Sequence, residues 1–328
     1  MSGQLKEVRN RIKSVQSTQQ ITKAMKMVAA AKLRRAQDAV TAIRPYAQRL
    51  SGIASDLAEH LAAEPLADVG STAAPAAEGT EQAAKSAGPL DMAQLQRILL
   101  GGTEKRIRLL VITADRGLAG AYNSAVFRRT ERFITEQKLA DRSVDLVVVG
   151  KKGRDYFRRR AVPVVHEHLG AEPKTAIARA KQLASELTQA LVADEVDAIY
   201  VVYNEFKTAA SQIIRLERLM PVRMKEADKR GPDAADDAPK SLVDFLYEPD
   251  QEAVLAHLLP LYLETELSRI LLEAVAAEFG ARMSAMDNAS RNAKEMISRL
   301  TLQFNRARQA AITKELMEIV GGAEALKG

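Results

Sequence analysis

Two long stretches of heptad-spaced apolar residues, one at each end of the 328-residue chain, constrain its fold more than any other feature. Between residues 3 and 61 apolar side chains recur in alternating steps of three and four, and residues 251–325 repeat the pattern. At about 1.5 Å per residue the two helices would span about 90 Å and about 110 Å, whereas most helices of globular proteins are far shorter. We therefore expect the two ends to pair as an antiparallel coiled coil, with a domain between them.

Both stretches depart locally from an ideal coiled coil. Pro45 predicts a kink or local unwinding of the first helix, and Pro260 a bend in the first turns of the second, because proline lacks a backbone N–H. The seam of the first helix becomes polar at Gln19, Thr22 and Lys26. An alternative interpretation is that two separate amphipathic helices pack on a globular core.

The middle of the chain alternates predicted strands with predicted helices. Strands are expected at 106–113, 144–149, 162–165, 197–203 and 211–219, and helices at 124–139, 151–160 and 175–193, with Asn123 as the N-cap of the first helix. This order is typical of a mostly parallel sheet with helices on both faces. The predicted fold class is α/β: a long antiparallel two-helix coiled coil formed by the terminal helices, with a central Rossmann-like α/β domain.

Composition divides the chain further. Residues 65–104 are rich in Ala, Gly, Pro, Ser and Glu and can bury too little apolar surface to order themselves, although 91–100 could form a short helix. A second flexible stretch is expected at 228–240. The predicted domains are the N-terminal coiled-coil helix (1–64), a flexible insertion (65–104), the central α/β domain (105–250) and the C-terminal coiled-coil helix (251–328).

Few residues point to chemistry. The chain has no Cys, which excludes disulfides, thiolate nucleophiles and Cys-ligated metals, and it contains no P-loop, GxSxG or HExxH motif. The turn at 115–123 lies where an α/β sheet can bind phosphate, but it lacks the glycine spacing of a dinucleotide site. We therefore predict no catalytic residue, no cofactor and no metal. A nucleotide-binding α/β enzyme with helical arms stays open as an alternative.

Charge is distributed unevenly along the chain, whose net charge is +6. Residues 1–50 carry eleven Lys or Arg and two acids, residues 281–328 carry eight and five, and the middle is net acidic. Basic ends indicate an acidic partner. A basic coiled-coil protein that binds nucleic acid is a second alternative, although the first helix lacks aromatic residues that could stack on bases there. No stretch has the length of a membrane span or the pattern of a signal peptide, so we expect a soluble chain.

Four stretches resemble one family closely. Residues 12–32 (IKSVQSTQQITKAMKMVAAAK), 114–123 (ADRGLAGAYN), 283–293 (MSAMDNASRNA) and 312–325 (ITKELMEIVGGAEA) are similar, in the same order, to stretches of F-type ATP synthase γ subunits. The family usually carries Cys and a second Gly where Ala119 and Ala121 stand, and both replacements keep a small side chain. Residues 66–104 look like an insertion relative to most bacterial members.

The resemblance implies the function of a rotor. In the family, an ion-driven ring of membrane subunits turns γ, whose upper coiled coil stands inside a head of three α and three β subunits and changes the nucleotide affinity of the β sites. The central domain, held with the ε subunit, would be the foot. The resemblance therefore implies a non-catalytic chain that binds the α, β, ε and c-ring subunits and no nucleic acid. It also implies a peripheral location at the cytoplasmic face of a bacterial inner membrane.

The candidate site residues form two groups. The band expected to pass torque to β combines basic and methionine side chains of both helices: Lys23, Met25, Lys26, Lys32, Arg34, Arg35, Arg282, Met286 and Arg291. The resemblance implies an acidic loop of β at this level. The expected shaft tip carries Ile312, Thr313, Glu315, Glu318, Gly322 and Ala323. Because the second helix is longer, a single-helix tip of about 24 Å should begin near residue 309, and Met25 should then lie near Met286.

Overall fold

The computed structural model describes residues 2–63, 104–160, 162–170, 172–209, 211–221 and 251–325. The end helices are α1 (Ser2–Ala63) and α5 (Gln251–Ala325), of 62 and 75 residues. The predicted insertion, except for Glu104, and the predicted flexible stretch at 228–240 lie outside the described residues, as does the short helix predicted at 91–100. The division of the chain into four domains therefore stays a prediction.

The two end helices pack against each other along an antiparallel seam. Lys26 Nζ donates to Asp287 Oδ1 at 2.5 Å, whereas Arg44 Nη2, further along α1, lies 3.5 Å from Glu273 Oε1. Rising numbers on α1 thus meet falling numbers on α5, which confirms the predicted coiled coil. The buried seam between these pairs consists of small and branched apolar residues and one ring: Leu33, Ala36, Val275, Ala276 and Phe279.

Neither proline interrupts its helix. α1 continues through Pro45 and α5 through Pro260, so the local unwinding considered at Pro45 does not occur. Pro45 is exposed, and so is Thr41, whose carbonyl loses its helical hydrogen bond to this proline. Water can satisfy that carbonyl, while Ala47 and Leu50 on the following turn stay buried.

Five strands form one sheet in the order β3-β2-β1-β4-β5. The strands β1 (Arg106–Ile112), β2 (Ser143–Val149), β3 (Val164–His168) and β4 (Ala198–Phe206) are parallel, and β5 (Gln212–Met220) runs antiparallel to β4. β1, β2 and β4 are nearly continuous apolar runs, which suits strands that are covered on both faces. The predicted mostly parallel sheet is confirmed.

Helices cover both faces of the sheet. On one face, α2 (Tyr122–Leu139) and α3 (Lys151–Phe157) pack on the strands through Val126, Phe133 and Phe157. On the other face, α4 (Ala176–Val192) lies in one continuous core with parts of α1 and α5. The part of the coiled coil that includes Val40, Leu50 and Leu263 therefore belongs to the core of the α/β domain.

Two local predictions are wrong. The third strand begins at Val164 and not at residue 162, because Pro163 has no N–H to donate and pairing with β2 starts only where Leu146 meets Val164. Asn123 is not the N-cap of α2, which begins after Ala121. Its side-chain oxygen instead accepts from the backbone N–H of Ala114 at 3.0 Å and closes the turn after β1.

Candidate functional site

At the place where a doubly wound sheet binds ligands, α5 packs against the turn that follows β1. Such sites lie beyond the carboxyl ends of the strands, where the strand order reverses, which here is between β1 and β4. Ala277 and Ala281 of α5 pack there against Ala114, Ala119 and Tyr122 of the β1–α2 turn. These five residues form an apolar contact, and a cavity of about 330 Å³ beside it is lined by Gly120, Asn204 and Ser284 among others.

Hydrogen bonds fix the same turn to α5. The Tyr122 hydroxyl donates to the carbonyl oxygen of Ala274 at 3.1 Å, and burial raises the pKa of Tyr122. Arg282 Nη2 lies 3.4 Å from the carbonyl oxygens of both Arg116 and Gly117. Leu118 has a φ of 64°, a conformation that non-glycine residues rarely adopt, and here the bonded turn holds it.

Asp115, at the carboxyl end of β1, is also used internally. Its Oδ1 accepts backbone N–H groups of Lys151 at 2.9 Å and Gly170 at 2.8 Å. One carboxylate therefore ties the ends of β1, β2 and β3 together. The turn at 115–123 is therefore bonded to α5 and to the ends of β2 and β3, as a structural joint would be.

The torque band predicted on α1 is divided between exposed and internally paired cations. Lys23, Arg34 and Arg35 are exposed and make no ion pair within the part of the chain that the structure describes. Lys26 pairs with Asp287 across the seam, and its hydrogen bond lowers the pKa of Asp287. The three exposed cations are thus free to meet a partner.

Lys32 links the coiled coil to the α/β domain. Its Nζ lies 3.1 Å from Glu172 Oε1, in the loop between β3 and α4, and 5.3 Å from the centre of the Phe279 ring. Met25 is half-buried. Lys32 therefore has partners inside the chain, and the side chains of both Lys32 and Met25 are partly exposed.

The predicted band residues on α5 lie mostly inside. Arg282 and Met286 are only 8% and 4% exposed. The guanidinium of Arg282 is engaged by the turn carbonyls and by Glu278 Oε1 at 2.6 Å, which leaves it little surface for another chain. Arg291 is exposed and bonds Asn288 at 2.6 Å within its own helix. Met286 lies on the seam near Asp287, the partner of Lys26, as the antiparallel register predicts.

Three exposed apolar residues complete the surface of the band. Ile21, Met27 and Val28 are 56%, 60% and 59% exposed. They are not among the predicted band residues. The signal that could have found them is that they are apolar yet lie outside the heptad seam defined by Ala29 and Leu33. The exposed band therefore carries both positive charge and apolar surface.

The tip of α5 is a single exposed helix. Ala311 is its last buried side chain, and every residue from 312 to 322 is exposed. The predicted tip residues with described side chains, Ile312, Thr313, Glu315, Glu318 and Gly322, all belong to this exposed stretch, and Ala323 lies in the next turn of the helix. Its apolar members are about half exposed or more: Ile312, Leu316, Met317, Ile319 and Val320.

The described residues contain no group of three or more His, Asp or Glu that could hold a metal ion. The nearest approach is His166 and His168 on β3, whose ring nitrogens lie 3.6 and 3.0 Å from the two carboxylate oxygens of Glu186. Within the same described ranges, no helix combines the length and apolarity needed to cross a bilayer.

Comparisons with known proteins agree with this architecture. The family model described as ATP synthase matches residues 4–326. The ATP synthase gamma chain of Sorangium cellulosum is 45% identical and covers 98% of this chain and 99% of its own length. The chain belongs to the ATP synthase gamma chain family. The resemblance seen in the four sequence stretches is thereby confirmed.

Solved structures of the family share the fold. A chain of the Euglena gracilis mitochondrial ATP synthase matches with a TM-score of 0.61 at 20% identity, covering 99% of this chain and 95% of its own. A chain from the central stalk and c-ring of the Tetrahymena thermophila mitochondrial ATP synthase matches with a TM-score of 0.52 at 23% identity, covering 82% and 99%. The two long helices with a central sheet are therefore a fold that this chain shares with chains of these ATP synthase structures.

Proposed function

We propose that this chain is the rotating central shaft of an ATP synthase and has no catalytic site of its own. The observation that carries the proposal is the change along α5, which is packed inside the α/β domain at one level and fully exposed at its end. A shaft needs one anchored end and one end that can turn freely. The absence of a P-loop motif and the packing of α5 against the β1–α2 turn support the non-catalytic assignment.

The exposed band on α1 is proposed as the place where torque passes to β. Lys23, Arg34 and Arg35 provide positive charge, and Met27 and Val28 provide apolar surface that can adapt to a moving partner. Exposed ion pairs are worth about 0–1 kcal/mol each, so an acidic segment of β can be guided without being held. Rotation of the band then contacts the three β subunits differently, and such differential contact is what shifts a conformational equilibrium.

The tip is proposed to turn as a bearing inside the α and β head. Its exposed apolar residues can lie against an apolar wall, and residues 312–322 include no aromatic side chain. Because binding hot spots are enriched in Trp, Tyr and Arg, this composition favours contact without a fixed anchor. The α/β domain, at the other end of the shaft, is proposed as the foot that contacts ε and the c-ring.

The location follows from the same assignment. A gamma chain that joins a membrane ring to a head of α and β subunits is held at the membrane surface by its partners. We propose a peripheral position at the cytoplasmic face of a bacterial inner membrane. Fractionation of cells should recover the chain with membranes, and a chelator or low-salt wash that detaches the α and β head should release it from them.

Reversal of the exposed charges tests the torque band. The variant Lys23→Glu, Arg34→Glu, Arg35→Glu changes three side chains that make no ion pair with a described residue, so the fold should be kept. We expect the variant to co-purify with α, β and ε and to lose most of its ion-driven ATP synthesis. The matched control is Arg49→Glu, an exposed residue of α1 nearer the proposed foot.

Two results would count against these proposals. A fully coupled triple variant would mean that the band is only a solvated face. A wild-type chain that fails to co-purify with α and β would contradict the assignment as a shaft.

A further inference from the structure

A cluster of charged side chains, centred on Arg269, joins the coiled coil to the β4–β5 hairpin. Arg269 Nε donates to Glu266 Oε2 at 2.9 Å on α5, and Nη1 lies 3.3 Å from Glu273 Oε2. Towards the sheet, Nη1 lies 3.4 Å from the Tyr203 hydroxyl on β4, and Nη2 lies 3.4 Å from Glu217 Oε2 on β5. We call these five residues the hub.

The hub also reaches α1. Glu273, whose side chain is 3% exposed, lies 3.5 Å from Arg44 Nη2 through its other oxygen. The Tyr203 hydroxyl lies 3.2 Å from both carboxylate oxygens of Glu217. One guanidinium therefore connects, directly or through one carboxylate, both helices of the shaft and both strands of the hairpin.

Stability alone does not account for such a cluster. Burying a charge carries a desolvation penalty of several kcal/mol per ion, and well-packed apolar replacements of buried ion networks are often neutral or stabilising. Burial raises the pKa of Glu273. Burial also opposes the charge of Arg269, but the nearby carboxylate of Glu266 and its neighbours offset it and raise the pKa of Arg269. The guanidinium therefore remains charged at working pH.

The other polar contacts between the shaft and the α/β domain each reach a single turn or loop: Tyr122 and Arg282 bond the β1–α2 turn to α5, and Lys32 pairs with the β3–α4 loop. Around Ala277 and Ala281 the contact is apolar, and apolar burial is non-directional, so it resists separation more than sliding or twisting. A guanidinium offers N–H donors in a rigid planar fork. Bonds from one fork to several elements fix an angle as well as a distance.

We infer that Arg269 is a positioning residue that locks the angle between the shaft and the α/β domain, so that a twist applied to the foot reaches the tip. The inference rests on the proposed function as a rotor. It goes beyond that function by naming where the shaft is fastened to its own foot, away from every contact with another subunit.

The test compares Arg269→Met with Arg106→Met in the assembled ATP synthase. Arg106 also pairs with two carboxylates, Asp194 at 2.5 Å and Asp197 at 2.6 Å, but all three residues belong to the α/β domain. ATP hydrolysis, ATP-driven ion transport and the thermal midpoint are measured for each variant. We expect Arg269→Met to keep hydrolysis while ion transport per ATP is lost, and to lower the thermal midpoint, because Glu266 and Glu273 lose their cation. We expect Arg106→Met to keep the transport ratio.

A second hub variant keeps the test decisive if Arg269→Met does not assemble. Glu217→Gln changes a partly exposed β5 side chain and should lower the transport ratio in the same direction, while Arg269→Lys should rescue part of it. An unchanged transport ratio in Arg269→Met overturns the inference. Where Arg269→Met does not assemble, an unchanged ratio in Glu217→Gln overturns it. An equal loss of the ratio in Arg106→Met also overturns it. If the wild-type complex itself hydrolyses ATP without transport that depends on this chain, the proposed function fails and not the hub.

Discussion

Two stretches of α5 have the same secondary structure and opposite environments. Of residues 267–281, which we call the waist, all except Arg269 and Glu278 are buried, whereas every residue of the tip, 312–322, is exposed. The waist is surrounded by α1, by α4 and by the carboxyl ends of β1 and β4. The difference shows that burial along a long helix depends on its neighbours and not on helix formation.

The two stretches also differ in what their apolar residues do. Leu267, Ile270 and Leu271 of the waist are fully buried and belong to the core of the α/β domain. Leu316 and Ile319 of the tip are 57% and 71% exposed in the isolated chain. Similar side chains are therefore part of the core in one stretch and exposed in the other.

The largest expected effect comes from replacing one leucine in each stretch with alanine and comparing the free energies of unfolding. Leu271→Ala should lower the free energy of unfolding by about 2–5 kcal/mol, because a fully buried side chain leaves a cavity. Leu316→Ala should change it by less than about 0.5 kcal/mol. Urea denaturation of the purified chain measures both. Similar losses for the two variants would show that the tip is packed in solution.

Replacing a glycine should lower stability in the waist and raise it in the tip. A Cβ on Gly280 would lie 3.3 Å from the Ala209 Cα and from the Phe206 ring, so Gly280→Val should destabilise by about 1–3 kcal/mol through overpacking. Gly321 has no atom within 4 Å of the same position. Gly321→Ala should therefore stabilise the tip helix locally by about 0.5–1 kcal/mol.

The glycine comparison needs two measurements. Denaturation reports the loss at the waist, and amide hydrogen exchange between residues 316 and 322 reports the gain at the tip. Slower exchange at the tip in Gly321→Ala, with no change at the waist, is the expected outcome. Faster exchange would mean that Gly321 has a backbone conformation that only glycine tolerates.

The free energy of unfolding should depend on pH with opposite signs through Glu273 in the waist and Asp287 on the seam above it. The pKa of Glu273 is raised above its ordinary 4.5 by burial, so the folded chain binds more protons than the unfolded chain just above that pH. The stability of the wild type relative to Glu273→Gln should therefore fall as pH rises from 4.5 through the raised pKa.

The opposite sign is expected for Asp287, which is half-buried. The hydrogen bond from Lys26 lowers its pKa below the ordinary 3.8, so the wild type should lose stability relative to Asp287→Asn as pH falls through that range. Unfolding free energies between pH 3 and about 7 check both slopes. Parallel curves for Glu273→Gln and the wild type would contradict the buried state of the carboxyl.

The smallest expected effect lies in the tip. Lys314 Nζ and Glu318 Oε1 lie 3.6 Å apart, with side chains 58% and 65% exposed. An exposed pair at this helical spacing is worth about 0.3–0.5 kcal/mol, so Lys314→Ala should change tip helicity barely measurably. A loss comparable to that of Leu271→Ala would mean that Lys314 has a partner beyond its own helix.

Periodicity predicted the parts of the fold that depend on local pattern. Alternating steps of three and four placed Leu33 and Ala36 on the seam, and the structure buries both. Continuous apolar runs located β1, β2 and β4, although Pro163 shifted the start of β3. Motif resemblance was enough to recognise the family.

Side-chain partners were the part that pattern could not supply. The antiparallel register predicts Arg282 in the band because it places residues 282–291 opposite residues 23–35, yet two turn carbonyls and Glu278 enclose its guanidinium. Asn123 was read as a helix cap because of its residue type, yet it bonds Ala114. In each case the partner lies on an element that the local sequence does not describe.

The sequence by itself determined the two long helices, their antiparallel pairing, the alternating strands and the family, because each depends on spacing along the chain or on whole motifs. Only the tertiary structure decided that α5 packs against the β1–α2 turn, that Arg269 joins shaft and hairpin, and that the band on α1 divides into exposed and internally paired cations. The physical reason is that burial, ion pairing and pKa depend on atoms brought together from distant residues. Residues 269, 217 and 203 show no common pattern until the fold places them within hydrogen-bonding range.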